Sequence, residues 1–366
     1  MGNRTELMSD PLRFLLSGPG LMGKQHAQLI NSRSDCRLSA IIAPPADENR
    51  TFALEIGAGF YLNIEDALEK ERIDAAIISS PNPFHFHQAI SCIERNVPVL
   101  VEKPITDNID DARKLADRSE DARVPVLVGH HRTYSPLLDA AVAFLNSARF
   151  GRLVAVQGSA LFYKPVKYFK DGAWRTKVGG GPILINLIHE IGLLRYFCGE
   201  IKTVFALAGR QIRNFEVEDT VAVTFEFWNG ALGSFLLSDT AASSKSWEMT
   251  SGENPVYPHF PEENCYHFAG TNGSLDFPSM WTRYYADGVE PSWWNDFETG
   301  TIAFTPRNPL ELQLDHFVQV VRGKAQPTVS ARDGYRNMLV IQAIALSINS
   351  RAVVDLERLT DRVTTQ

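Results

Sequence analysis

At 366 residues the chain is longer than a single hydrophobic core usually supports, so two domains are expected, and 44% hydrophobic with 22% charged residues excludes a disordered or repeat protein. A net charge of -7 provides no field that gathers polyanions, which argues against nucleic acid or an anionic membrane as partner. Four separated cysteines without a C-x-x-C suggest neither a disulfide framework nor a metal site.

In chain order, RFLLSG (13–18) reads as a buried strand and KQHAQLINS as a helix following glycines. CRLSAIIA, IDAAIISS and PVLVEKP are further strands with helical stretches between, and PVLVGHH (125–131) adds one more. Such alternation builds a parallel sheet covered on both faces. From about Gly151 the pattern changes to long β-like runs, LVAVQGSALFY, TVFALAGRQI, DTVAVTFEFWNGALGSFLLSDTA and CYHFAGTNGSLDF, which predict a mainly antiparallel sheet with a hairpin around WNG. A helix over 182–198 interrupts them, 242–264 reads as a long loop, and PLELQLDHFVQVVRG and RDGYRNMLVIQAIALSINS close the chain as helices. MGNRTELMSDP has no apolar segment fit for an export signal, and no run approaches about 20 apolar residues, so a cytoplasmic protein is expected.

GPGLMGKQH places Gly18, Gly20 and Gly23 as G-x-G-x-x-G between a strand and a helix. That context suits a dinucleotide: a tight turn, close backbone approach, and helix N-terminal amides facing the pyrophosphate. Contacts are expected from Gly18, Gly20, Leu21, Met22 and Gly23. The acidic residue that should follow the second strand is missing; Ala43 and Pro44 stand there, Asp47 and Glu48 come late, and no Arg follows to favour a 2′-phosphate. NAD is the expected cofactor, with NADP the alternative. Lys103 follows the strand of VLVEKPIT, at the edge of an open α/β sheet where ligands bind. It is read either as a titrating amine in a cleft or as a solvated loop lysine. In VGGGPILINLIHEIGLLRYFCGE (178–200), Asn186, His189 and Glu190 interrupt an otherwise apolar helix.

The set GPGLMGKQH, SPNPFH, VEKP, WRTKVGGG with the helix bearing His189, and DHFVQVVRGKAQPTVSARDGYR resembles the Gfo/Idh/MocA family of oxidoreductases over nearly the whole chain. The resemblance implies an α/β fold: an N-terminal Rossmann domain (1–130) with a doubly wound parallel sheet, and a C-terminal α+β domain (131–366) with a large, mainly antiparallel open sheet for substrate binding and oligomerisation. It implies hydride transfer between a nicotinamide and a sugar, sugar acid or polyol carbon. The chain is similar to pentose dehydrogenases of that family, which would oxidise an aldose such as D-apiose to its lactone. Lys103 matches the catalytic, substrate-binding lysine, also near the cofactor, and Lys103-Pro104 an often cis peptide. Ser80, Asn82, His85 and Glu102 match positions lining the cofactor, and His189 the histidine of G-G-G-x-x-x-D-x-G-x-H. Trp174 and Arg175 match residues near cofactor and substrate, against the plain alternative of a core Trp with a surface Arg. Tyr163 (substrate), Arg132 (cofactor) and His130 are weaker candidates. The resemblance implies a homodimer or homotetramer, paired through the C-terminal sheet.

One position departs from the pattern. The aspartate expected one turn before the histidine falls on Ile185, with Asn186 beside it, so Asn186 is expected to hold a substrate hydroxyl while His189 or Lys103 takes the proton. Two other functions share the fold: an NAD-assisted glycoside hydrolase and a non-catalytic sugar-sensing regulator.

Overall fold

The computed structural model describes residues 10–359, so positions 1–9 of the stretch read for an export signal lie outside them. Two compact units share the chain. One runs through His130 and takes back Leu310–Tyr335; the other holds His131–Pro309 and the chain from Arg336 onward.

The first unit alternates β1 (Leu12–Ser17), α1 (Leu21–Asn31), β2 (Cys36–Ile42), α2 (Asp47–Ile56), β3 (Gly59–Tyr61), α3 (Ile64–Lys70), β4 (Ala75–Ile78), α4 (His85–Ile93), β5 (Val99–Val101), α5 (Ile109–Ala122) and β6 (Val126–Val128). Its strands lie in the order β3-β2-β1-β4-β5-β6, all parallel. Continuous apolar runs explain this: Ala75 to Ile78 and Val99 to Val101 are fully buried, as strands covered on both faces must be. The order reverses between β1 and β4, the switch point at which such sheets bind ligands.

In the second unit come α6 (Pro136–Leu145), β7 (Leu153–Leu161), α7 (Val166–Lys170), α8 (Ile188–Cys198), β8 (Ile201–Gly209), β9 (Thr220–Phe227), β10 (Leu232–Ser238), α9 (Trp247–Thr250), β11 (Tyr266–Gly270), β12 (Gly273–Phe277), β13 (Trp281–Tyr284) and β14 (Glu298–Thr301). After α10 (Pro309–Val321) and α11 (Ala331–Ser350), β15 (Val354–Asp355) completes a nine-stranded sheet, β14-β13-β12-β11-β7-β10-β9-β8-β15. All its pairs are antiparallel except β7 with β10. Alternating burial along β9 and β10 gives the sheet one inner face. Phe197 of α8 packs on that face against Tyr266, Phe268 and Phe277.

Three differences from the sequence reading have physical causes. Residues 310–335 group with the first unit, because Phe317 of α10 meets Phe14 of β1 edge-on at 6.0 Å and Val128 N–H donates to the Val329 carbonyl at 2.9 Å. The 242–264 segment contains α9, whose Trp247 is buried, so it is not wholly loop. The helix expected over 182–198 opens with a π-helical turn, Ile183–Leu187, before α8.

Candidate active site

In the first unit, the chain leaves β1 at Ser17 and turns at Gly18 with φ +81°. A Cβ on Gly18 would lie 2.5 Å from Ser80 Cα, and one on Gly23 would lie 2.1 Å from the Gly18 carbonyl oxygen. A Cβ on Gly20 would meet nothing within 4 Å. Gly18 and Gly23 therefore serve the chain's own packing, while Gly20 keeps space open at the start of α1. Gly20 is also the N-cap, contributes no side-chain cap, and is followed by a first turn without acids, so the positive helix terminus is left for an external anion. Leu21 beside it is 80% exposed. This cradle fits a dinucleotide pyrophosphate. At the end of β2, Asp47 and Glu48 lie in the first turn of α2, and Glu48 Oε1 pairs with Lys24 Nζ at 2.9 Å.

The same sheet edge carries the residues after β4 and β5. Ser79 Oγ donates to the Ser17 and Gly18 carbonyls (3.0 and 2.8 Å), and Ser80 Oγ to Gln88 Oε1 at 2.8 Å. Asn82, half-buried, opens an otherwise exposed 3-10 turn that leads into α4. His85, expected to line the cofactor, is buried with Nδ1 2.9 Å from the Pro104 carbonyl oxygen and Nε2 2.7 Å from the Ser80 carbonyl oxygen, of which the neutral ring donates to one and the imidazolium to both. It ties the two loops together, and burial pushes its pKa down against the pull of those carbonyls. Glu102 is likewise pinned: Oε1 lies 3.1 Å from His26 Nε2, and a Cβ on Gly129 would lie 2.9 Å from its Cδ. Lys103 follows, half-buried, joined to Pro104 by a cis peptide bond.

In the second unit, His131 and Arg132 form a 3-10 turn facing His189 and Glu190 of α8. Arg132 Nη1 donates to Glu190 Oε1 at 2.6 Å and Nη2 to Glu248 Oε1 at 2.7 Å, over the Trp247 ring at 5.3 Å. The Tyr266 hydroxyl donates to Glu190 Oε2. The guanidinium of Arg132, expected at the cofactor, pairs with the buried Glu190 and the half-buried Glu248, and a carboxylate removed from water as Glu190 is requires such a partner. Burial raises the Glu190 pKa against the opposing pull of Arg132. The neighbouring imidazoles of His131 and His189 meet edge-to-face at 5.8 Å, and His189 is 7% exposed.

The glycines before the helix pack chain against chain. A Cβ on Gly180 would lie 2.6 Å from the Trp174 carbonyl oxygen, and one on Gly181 2.8 Å from Glu218 Oε1. Glu218 in turn accepts from Ile183 N–H at 2.9 Å, capping the π turn. Ile185 and Asn186 are half-buried on that turn, and Asn186 Oδ1 accepts from Lys164 Nζ at 2.6 Å. Lys164 was missed in the sequence, where YKP after a strand carries no motif. Trp174 is 53% exposed rather than a core residue, and Arg175 stacks 4.0 Å over the Tyr168 ring while Nη1 donates to the Tyr168 carbonyl at 2.6 Å. Tyr163 is exposed, with Arg213 5.2 Å over its ring.

Residues 12–130 match the Gfo/Idh/MocA model described as an oxidoreductase family with an NAD-binding Rossmann fold, and residues 139–276 match the Gfo/Idh/MocA C-terminal domain. The chain is 25% identical over 344 residues to D-xylose 1-dehydrogenase (NADP(+)) 2 of Haloferax volcanii, covering 93% of this chain and 95% of that protein. It is 26% identical over 349 residues to inositol 2-dehydrogenase of Rubrobacter xylanophilus, covering 93% and 92%. The WlbA dehydrogenase of Bordetella pertussis, solved with NADH and UDP-GlcNAcA, superposes with a TM-score of 0.75 at 22% identity, covering 94% of this chain and 98% of that one. Among the described residues no helix is long and apolar enough to cross a membrane. The chain belongs to the Gfo/Idh/MocA family of NAD-binding oxidoreductases.

Proposed function

We propose that this oxidoreductase is an NAD-dependent dehydrogenase that oxidises a hydroxyl of a sugar, sugar acid or polyol, with a lactone as product where the carbon is anomeric. The observation that carries the reading is Lys103 at the carboxyl edge of the parallel sheet whose β1–α1 turn is open at Gly20. Bound NAD supplies the hydride acceptor. The hydroxyl proton must leave as the carbonyl forms, and Lys103 and His189 are the proton-transfer residues. Asn186, Tyr163, Trp174 and Arg175 are the substrate-binding residues, with Trp174 and Arg175 also serving the cofactor. Gly20, Leu21, Met22, Ser80 and Asn82 hold the dinucleotide, and Gly18 and Gly23 serve it by letting the turn close tightly enough to present them. His85 and Glu102 act on it by fixing the loops of Ser80 and Lys103.

The outer face of the nine-stranded sheet supports a homo-oligomer. Leu207, Ala222 and Leu236 lie in register across β8, β9 and β10 and are all exposed, an apolar row suited to a second copy of the chain.

Reduction of NAD and NADP, followed at 340 nm across aldoses, inositols and sugar acids, tests the activity. Stoichiometric NADH from a free sugar is expected. Sugar binding without reduction would overturn the reading in favour of a sensor. Glycoside cleavage with no net NADH would overturn it in favour of the redox-assisted hydrolase.

A further inference from the structure

Helix α1 packs on β1, β2 and β4, and its buried residues are Gly23, His26, Ala27 and Ile30. An imidazole among small and apolar groups is costly unless a partner takes its hydrogen bond. Glu102 is that partner: it is buried as well, and its Oε1 lies 3.1 Å from His26 Nε2, across 76 residues of chain. A carboxylate only accepts, so against it the His26 proton sits on Nε2.

Glu102 is fixed on its other sides too. Its N–H donates to the Ile78 carbonyl of β4 at 2.8 Å, and its Oε2 accepts from the Lys103 N–H at 3.3 Å. A Cβ on Gly129, the residue after β6, would lie 2.9 Å from both Cδ and Oε2 of Glu102, so the chain carries no side chain where this carboxylate lies. On the far side of Lys103, His85 Nδ1 is 2.9 Å from the Pro104 carbonyl oxygen. Lys103 thus stands between two residues, each held by a buried histidine. A lysine has a long flexible stem, and proton transfer requires its nitrogen within hydrogen-bond reach of the hydroxyl. What the fold can fix is the backbone from which that stem starts.

We infer that His26 is a positioning residue for the dehydrogenation: it holds Glu102, and Glu102 holds the backbone from which Lys103 reaches the substrate hydroxyl. The inference rests on the proposed reading of Lys103 as a proton-transfer residue. It gives α1 two tasks, the pyrophosphate at its N-terminus and the proton-transfer loop on its buried face.

The test uses the best substrate found among aldoses, inositols and sugar acids, with NADH formation, NAD titration and thermal melts as readouts. His26→Phe keeps a ring in the space and removes the donor, His26→Gln keeps a donor at the place of Nε2, and Gly129→Ala presses on Glu102 from the opposite side. In His26→Phe and Gly129→Ala, kcat is expected to fall about tenfold to a hundredfold, the cost of misplacing a reacting group by about an ångström, with KM and the NAD Kd within about threefold. His26→Gln is expected to keep kcat within about threefold of the parent. In a Lys103→Met background His26→Phe should lower the residual turnover by no more than about twofold, because the group it positions is gone. Parental kcat in His26→Phe, a loss that His26→Gln does not restore, or a further tenfold fall in the Lys103→Met background overturns the inference while the dehydrogenase reading stands. Where His26→Phe does not fold, Gly129→Ala alone and combined with Lys103→Met decides by the same criteria. Binding of NAD by the parent with oxidation of no sugar overturns both.

Discussion

Substitution of the glycines in the β1–α1 turn separates a residue that serves the fold from one that serves the cofactor. In Gly20→Ala the new methyl meets no atom of the chain within 4 Å, and the backbone there (φ -76°, ψ -159°) is open to any residue. Stability should fall by no more than about 1 kcal/mol, because Ala caps a helix less well than Gly. The methyl nevertheless occupies the space a pyrophosphate needs in front of the α1 amides. Losing one such contact should weaken NAD by about 1–3 kcal/mol, or roughly 5- to 150-fold in Kd. In Gly23→Ala the methyl would lie 2.1 Å from the Gly18 carbonyl oxygen and 2.7 Å from Ser79 Oγ, so α1 must move off the sheet. Overpacking of this kind costs about 1–3 kcal/mol, a fall in Tm of roughly 2–10 °C. Calorimetric NAD titration and thermal melts of both variants measure the contrast. Gly20→Ala binding NAD as tightly as the parent would refute the placement of the pyrophosphate there.

Lys103→Met should leave NAD affinity within about twofold and lower kcat by roughly a hundred- to ten-thousand-fold, as loss of a proton-transfer group does; near-parental turnover would remove Lys103 from the chemistry. A pH dependence of stability follows from His85. Its folded pKa lies below the ordinary 6.5, so its contribution is complete above 6.5 and declines as the pH falls toward the folded value, where the unfolded state takes up a proton that the folded state refuses. His316, also lowered by burial, acts in the same sense. Glu190, Glu218, Asp239 and Glu253, raised by burial, act oppositely and gain stability as pH falls through their folded values. The difference between the parent and His85→Asn isolates the histidine: urea midpoints should fall less in the variant between pH 7 and 5, and parallel curves would show that His85 is not the source.

The parallel sheet was legible because its strands are continuous apolar runs bounded by turns, and the dinucleotide turn because its glycines lie where such a strand gives way to a helix. The strands that escaped are short: β3 has three residues, β13 and β14 four each, too few for a period of two to show. Lys103 and His189 stood out as candidates by local context, the one in EKP and the other on the helix after the glycines. Their supports did not, because each lies across a long separation: Arg132 to Glu190 spans 58 residues, Tyr266 to Glu190 76, and Arg132 to Glu248 116. Lys164 reaches Asn186 across 22 residues with no motif at the Lys164 end. Arg132, a weaker candidate for the cofactor in the sequence, pairs with Glu190 and Glu248, and neither partner is visible from its own neighbours in the chain.

The π turn has its own explanation in these supports. At one end Glu218 fixes the Ile183 amide, and Gly181 leaves just enough room for that carboxylate to reach it. At the other end Arg132 and Tyr266 fix Glu190, and the His131 ring rests on His189. A buried ion pair contributes little net stability over apolar packing, but breaking it is costly, so it sets register rather than strength. With both ends pinned, the backbone between Ile183 and His189 has a set length to cover. A wider turn takes in one more residue than an α-helix would, which is how π turns arise and why they collect at functional sites. The surplus falls among Ile183–Leu187, leaving α8 regular from Ile188 and bringing Asn186 to Lys164 without disturbing His189.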